Sequence, residues 1–146
     1  MKPLLIAAIL ALAAPSVAAP RAVEVIRPWS RPAVAGTTGI GYMVLANHGR
    51  APDALERVES PLADHVEMHS SSMAGGVMSM ARADKVVVPA GGETTFGPGG
   101  FHLMFVGLTK TLKPGDKLPA TLTFASGARI AVRFPVSEGM GPPAAH

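Results

Sequence analysis

Turn-forming residues recur at short intervals after residue 20 and leave no room for long helices. Glycine, proline, asparagine and aspartate mark the reversals, for example at Gly75-Gly76, Pro98-Gly99-Gly100 and Ser126-Gly127. Such residues supply the positive or preset φ that a reversal needs. No long stretch shows the apolar period of a helix. We therefore predict an all-β chain that forms a sandwich or small barrel.

The segments between these turns have β-branched or alternating apolar character, which predicts strands. We expect strands at residues 23–26, 41–46, 54–59, 65–69, 77–81, 85–88, 93–96, 102–106, 117–124 and 129–136. Residues 70–77 are expected to form a hairpin loop, and 121–124 with 130–134 a C-terminal hairpin. Since no internal repeat is visible, the prediction is a single Greek-key sandwich that is stable without metal.

Both ends of the chain are expected to lie outside this domain. The apolar run Leu4–Ala14 and the small residues Ser16-Val17-Ala18 are typical of a secretory signal peptide, and the run is too short to span a bilayer. We predict a signal peptide at residues 1–18, a domain at 19–136 and a flexible tail at 137–146. The mature protein is then periplasmic, without stable membrane insertion. A short N-terminal anchor is the alternative.

Charge and composition argue against several classes of function. The 13 Lys and Arg residues are scattered and not interleaved with aromatics, which argues against nucleic-acid binding. The chain has no cysteine, so it has neither disulfides nor thiolates. No paired carboxylates or nucleophile–base set can be picked out. We predict that the protein is not an enzyme, with a small copper oxidase or an exported hydrolase as the alternative.

Methionine and histidine cluster in one part of the chain. Five of the 8 methionines and three of the 5 histidines lie between residues 65 and 104. Strand alternation places His102 with Met104 on one face, and Met78 with Met80 on one face of another strand. His69 ends the strand that precedes the Met78–Met80 strand, and the hairpin between them brings the two strands side by side. We therefore expect two imidazoles and two thioethers to lie close together. Thioethers suit Cu(I), and imidazole suits copper in either oxidation state.

Four segments resemble the PCu(A)C family of periplasmic copper chaperones. They are VEMH at 66–69, GVMSM at 76–80, PAGG at 89–92 and PGGFHLM at 98–104. The family's pattern is His, ten residues, Met, twenty-one residues, His, one residue, Met, and it is met by His69, Met80, His102 and Met104. The resemblance implies a cupredoxin-like Greek-key β-sandwich with one Cu(I) site formed by these four residues.

The resemblance also implies delivery of copper towards the dinuclear copper centre of cytochrome c oxidase. The expected partner of this monomer is the copper subunit of the oxidase or a cysteine-bearing assembly factor. Some family members bind Cu(II) in a C-terminal extension, but the tail here offers only Met140 and His146. The alternatives are a periplasmic protein for copper storage or tolerance, and an interaction domain whose methionine cluster is core.

The remaining candidates have structural interpretations. Core packing is expected for Met43, Met68 and Trp29. His48 is expected in a turn, His65 at the surface or behind the ligands, and Met78 beside the site as the competitor of Met80. Gly97, Gly99 and Gly100 are expected to form a tight turn that aims His102.

Overall fold

A computed structural model describes residues 22–139 and 141–142 of the chain, and within them it contains ten strands and no helix. The strands are β1 (Val23–Ser30), β2 (Gly39–Asn47), β3 (Asp53–Glu59), β4 (Ala63–Ala74), β5 (Val77–Ala83), β6 (Val86–Val88), β7 (Glu93–Phe96), β8 (Phe101–Leu108), β9 (Lys117–Phe124) and β10 (Arg129–Pro135). Each contains most or all of a predicted segment. The predicted signal peptide lies outside the described residues, as do Met140 and residues 143–146 of the predicted tail.

The strands form two sheets that face each other. The larger sheet has the order β1-β2-β7-β8-β4-β5, and the smaller has the order β10-β9-β3-β6. The chain passes between the sheets after each one or two strands, which is the cupredoxin-like Greek-key sandwich predicted from the resemblance. The C-terminal hairpin is also confirmed, because β9 and β10 pair throughout their length around a turn that contains Gly127 at φ 89°.

One continuous apolar core lies between the sheets. Its largest fully buried side chains are Phe96, Phe105, Phe124, Phe134, Met43, Leu45, Leu55, Leu103, Leu112, Leu118 and Leu122. Met68 and Trp29 are also buried, so the core placement predicted for Met43, Met68 and Trp29 is confirmed. Side chains alternate along β8: Leu103 and Phe105 enter the core, and His102 and Met104 point to the other face of the sheet.

The prediction of a loop at residues 70–77 is wrong. Strand β4 runs on to Ala74 and β5 begins at Val77, so only Gly75 and Gly76 form the turn. Both glycines have positive φ, at 62° and 78°, which a two-residue hairpin turn with the right-handed twist of its strands requires. The polar residues before the turn therefore continue the ladder instead of leaving it.

Candidate metal site

Three neighbouring strands of the larger sheet, β8, β4 and β5, carry the predicted ligands. His69 on β4 lies directly opposite His102 on β8. Met104 lies two residues further along β8 and opposite Glu67, whereas Met80 on β5 lies opposite Ser71. All of these residues occupy the same face of the sheet, away from the core, because paired residues in a ladder share a face.

The turn before β8 fixes the orientation of His102. The Gly100 N–H donates to the Gly97 carbonyl at 3.0 Å, and Gly99 has φ 81°, as a turn with proline second and glycine third requires. The turn predicted to aim His102 is thus confirmed. The Gly100 carbonyl lies 3.1 Å from His102 Nδ1. Because a carbonyl only accepts, Nδ1 carries the proton and the Nε2 of neutral His102 keeps a free lone pair for a metal.

His69 has two buried ring nitrogens without partners. Its ring stacks on that of His102, with centroids 5.8 Å apart and planes inclined by 23°. Neither Nδ1 nor Nε2 has a hydrogen bond, and both are inaccessible to solvent. The nearest carboxylate oxygen, Glu67 Oε1, is 3.7 Å from Nε2, too long for a hydrogen bond. Each unsatisfied buried group costs about 1–3 kcal/mol. A cation bound to an unprotonated nitrogen of His69 would remove this cost for that nitrogen.

The two methionines differ in their relation to this imidazole pair. Met104 is half-buried and adjoins His102 along the strand. Met80 lies on the edge strand, diagonal to His69, and its side chain is 52% exposed. The fold therefore brings both histidines and Met104 close together, and leaves Met80 at the open side. Within the described residues, no three His, Asp or Glu side chains form a group that could hold a metal ion.

Glu67 is a neighbour of the site that the sequence reasoning missed. Its carboxylate lies 3.2 Å from His65 Nε2 and 3.7 Å from Arg82 Nε. The hydrogen bond with His65 lowers the pKa of Glu67 and outweighs the opposing effect of burial, and the charge of Arg82 also lowers it. Strand alternation carried this signal, since Glu67 precedes His69 by two residues and therefore shares its face.

The other three histidine and methionine candidates lie at exposed positions. His65 is at the surface, with Nδ1 2.8 Å from an Asp64 carboxylate oxygen. His48 follows β2 and lies 2.9 Å from Glu24 through Nε2. Met78 is exposed and lies opposite Met73 rather than opposite a histidine.

The two-sheet Greek-key topology places the chain in the cupredoxin-like class of domains. A family model described as "Putative lipoprotein LpqE-like" matches residues 23–136. The chain belongs to this LpqE-like family. A protein of Leifsonia xyli subsp. xyli named "Putative lipoprotein Lxx21020" is 29% identical over 120 residues, which are 82% of this chain and 72% of the relative.

Solved structures of PCuAC domains share the fold, which confirms the family resemblance. The copper-bound PCuAC domain of PmoF2 superposes with a TM-score of 0.69 at 25% identity, covering 82% of this chain and 95% of that domain. The Cu(I) form of DR1885 from Deinococcus radiodurans superposes with a TM-score of 0.61 at 27% identity, covering 84% of each chain. No helix capable of crossing a membrane occurs in the part of the chain that the structure describes.

Proposed function

We propose that this protein is a copper chaperone that binds one Cu(I) ion through His69, Met80, His102 and Met104. The observation that carries the proposal is the pair of unpartnered nitrogens on His69, stacked against a histidine whose Nε2 is free. The copper-bound PmoF2 domain and the Cu(I) form of DR1885 support the choice of metal. Copper is the cargo of such a protein rather than a catalytic cofactor.

The donor set favours Cu(I) over other ions. Two neutral imidazoles and two thioethers are soft to intermediate donors and add no ligand charge. Calcium and magnesium need clusters of oxygen ligands, and zinc sites of the usual kinds use cysteine or three histidine and carboxylate ligands. Cu(II) is held by the imidazoles alone, since thioethers are poor ligands for it, so we expect Cu(II) to bind more weakly here.

The exposed position of Met80 suits transfer of the metal. A partner that offers thiolates, which are stronger soft donors than thioethers, replaces the accessible sulfur first and draws the ion from the open side of the site. We propose as acceptor the copper subunit of cytochrome c oxidase or a cysteine-bearing assembly factor. Copper is expected to move from this protein to the acceptor and not back. If an apo acceptor mixed with the loaded protein gains no copper, the proposed transfer is refuted.

Of the two alternative functions, the structure argues against an interaction domain, and a copper-transfer test separates a storage protein from a chaperone. An interaction domain with a methionine core does not fit, because Met73, Met78 and Met80 are exposed whereas Met43 and Met68 already occupy the core. A periplasmic storage or tolerance protein uses the same site, and it is distinguished by retention of copper in the presence of the apo acceptor.

We further propose that the protein works outside the cytoplasm after removal of residues 1–18. The hydrophobic start of the sequence and the lipoprotein description of its family support export. The 146 residues contain no cysteine, so no thiol in this sequence can carry a lipid. Mass spectrometry of the native protein is expected to find an N-terminus at or next to Ala19, and an intact Met1 refutes the proposed cleavage.

The decisive experiment is an anaerobic Cu(I) titration of the mature protein against a competing chromophoric chelator. Met104→Leu is expected to weaken binding, because a soft donor is lost while side-chain volume is nearly conserved. Met43→Leu is the matched control, since Met43 is a fully buried core residue away from the site, and it is expected to bind as the wild type does. Equal affinity for Met104→Leu and the wild type refutes the ligand assignment of Met104.

A further inference from the structure

The hairpin of β4 and β5 projects beyond the rest of the sheet. Pairing of β4 with β8 ends at Ser70, opposite Phe101, but pairing with β5 continues to Ala74. The Ser71 N–H still donates to the Gly100 carbonyl at 3.1 Å. Beyond this bond, residues 72–79 form a two-stranded ribbon without a third strand beside it.

Three methionines occupy one face of this projecting hairpin. Met73 lies directly opposite Met78, and Met80 lies two residues further along β5. Their side chains are 67%, 61% and 52% exposed, respectively. Met73 lies four residues after His69 on β4 and therefore shares its face, and pairing with β4 places Met78 and Met80 on that face as well. Val77, whose partner is Ala74, lies on the opposite face.

Packing does not account for these methionines. The hairpin ends beyond the sandwich, and the core methionines of the protein, Met43 and Met68, are almost fully buried. Single exposed apolar residues are common on protein surfaces. Three flexible thioethers at neighbouring positions of one ladder share a property that valine or leucine would lack, a soft sulfur donor on each side chain.

The spacing of the three residues allows their sulfurs to meet. Side chains directly opposite in an antiparallel ladder have Cβ atoms about 4.5–5.5 Å apart. Residues two apart on one strand are separated by about 6.6 Å, from a rise of about 3.3 Å per residue. Methionine has three rotatable side-chain bonds, so the thioethers of Met73, Met78 and Met80 can converge on one ion above the ribbon.

We propose that Met73, Met78 and Met80 form a second Cu(I) site, built from thioethers alone, at the end of the hairpin. This proposal rests on the proposed copper function. The ion binds at the hairpin site on its way into or out of the histidine site. Met80 belongs to both sites, because it lies between the Met73–Met78 pair and His69 along the same face. Moving the ion exchanges one neutral ligand for another, with no change of oxidation state.

The second site is expected to be the weaker one. It lacks imidazole, and its ligands are largely exposed, so water and competing donors reach the ion. We therefore expect the first equivalent of metal to occupy the histidine site and the second to occupy the hairpin. At two equivalents Met80 binds the hairpin ion, while His69, His102 and Met104 keep the first ion. Thioethers are not protonated at the acidic pH values at which imidazoles are. The hairpin site is therefore also expected to keep its ion at a pH where imidazoles are protonated.

The test is an NMR titration of the full mature protein with Ag(I), a stable mimic of Cu(I), followed on the methionine methyl and imidazole signals. The first equivalent is expected to shift His69 and His102, and the second to shift the methyls of Met73 and Met78. In the double variant Met73→Leu/Met78→Leu the second step disappears and the first remains. Val77→Leu, on the other face of the same hairpin, is the matched control and keeps both steps.

The outcomes separate this site from the main proposal. If the first equivalent shifts the imidazoles while the Met73 and Met78 methyls stay unmoved at two equivalents, the hairpin site is refuted and the chaperone site stands. If the double variant still shows the wild-type second step at Met80, the assignment to the three methionines is also refuted. If the imidazoles never move, the histidine site itself is refuted.

Discussion

Replacing His69 by leucine is predicted to stabilise the metal-free protein. A neutral imidazole has one donor and one acceptor, and neither nitrogen of His69 has a partner in its buried position. Removing these groups relieves a cost of about 1–3 kcal/mol each, less any penalty from imperfect packing of the leucine. In a domain of this size about 1 kcal/mol shifts Tm by roughly 4 °C. We expect Tm of the apo His69→Leu variant to rise by several degrees.

His102→Leu is the matched comparison, and the expected sign is opposite. His102 is also buried, but its Nδ1 donates to the Gly100 carbonyl. Losing a hydrogen bond of this kind costs about 1 kcal/mol, so the apo variant is expected to melt a few degrees below the wild type. The Gly100 carbonyl keeps the Ser71 N–H as donor, which limits the loss.

The same two variants test the role of the histidines as ligands. A metal ion at 100 times its Kd stabilises the folded wild type by about 2.7 kcal/mol, and both variants are expected to lose most of this gain. Thermal unfolding followed by circular dichroism, anaerobically with and without Cu(I), measures both quantities. A lower apo Tm for His69→Leu, equal to that of His102→Leu, refutes the argument from unpartnered nitrogens. A full metal-induced shift in His69→Leu refutes its role as ligand.

Three further predictions concern pH and packing. Copper affinity is expected to fall as the solution is made more acidic, since a protonated imidazole cannot bind a metal, and chelator competition at several pH values measures it. Hydrogen bonds with Asp64 and Glu67 raise the pKa of His65 above its ordinary value of 6.5. The contribution of protonated His65 to stability is therefore fully present below pH 6.5 and is lost as pH rises through the raised pKa. His65→Ala should accordingly lower Tm more at acidic than at alkaline pH. Equal losses contradict this. Gly41→Ala places a Cβ 2.8 Å from Phe105 Cε2, and we expect a loss of about 1–3 kcal/mol in denaturant unfolding.

Local patterns predicted the strands well, and failed where the conformation depends on a specific backbone feature. The prediction ended the first strand at Ile26, whereas β1 runs to Ser30. A register shift between Ile26 and Trp29, with Arg27 at φ 47°, lets the strand resume after Pro28. Proline is tolerated in strands at such bulges. The pattern of side chains does not encode this bulge. Gly75-Gly76 did signal a turn, but the polar residues 70–74 lack the apolar alternation of a strand, so the extension of β4 up to that turn was missed.

The candidate site was predictable as a set of residues but not as an arrangement. Spacing and resemblance selected His69, Met80, His102 and Met104 as candidate ligands, and this assignment stays a prediction. They did not reveal that the two imidazoles lie opposite each other, because the register between β4 and β8 depends on the packing of both strands over the core. They also did not reveal the lack of hydrogen-bond partners around His69, which depends on every neighbour in three dimensions.

The strand order of the smaller sheet has a consequence for how the protein folds. Strand β3 pairs with β9, so Val58 must meet Leu122 before that sheet exists. Pairing between strands this distant in sequence requires closure of long loops, and domains dominated by such contacts fold in milliseconds to seconds. The two histidines likewise come together only when β4 finds β8. The sandwich must therefore be assembled before any ion can contact both imidazoles. We expect the metal to bind to the folded protein and not to nucleate its folding.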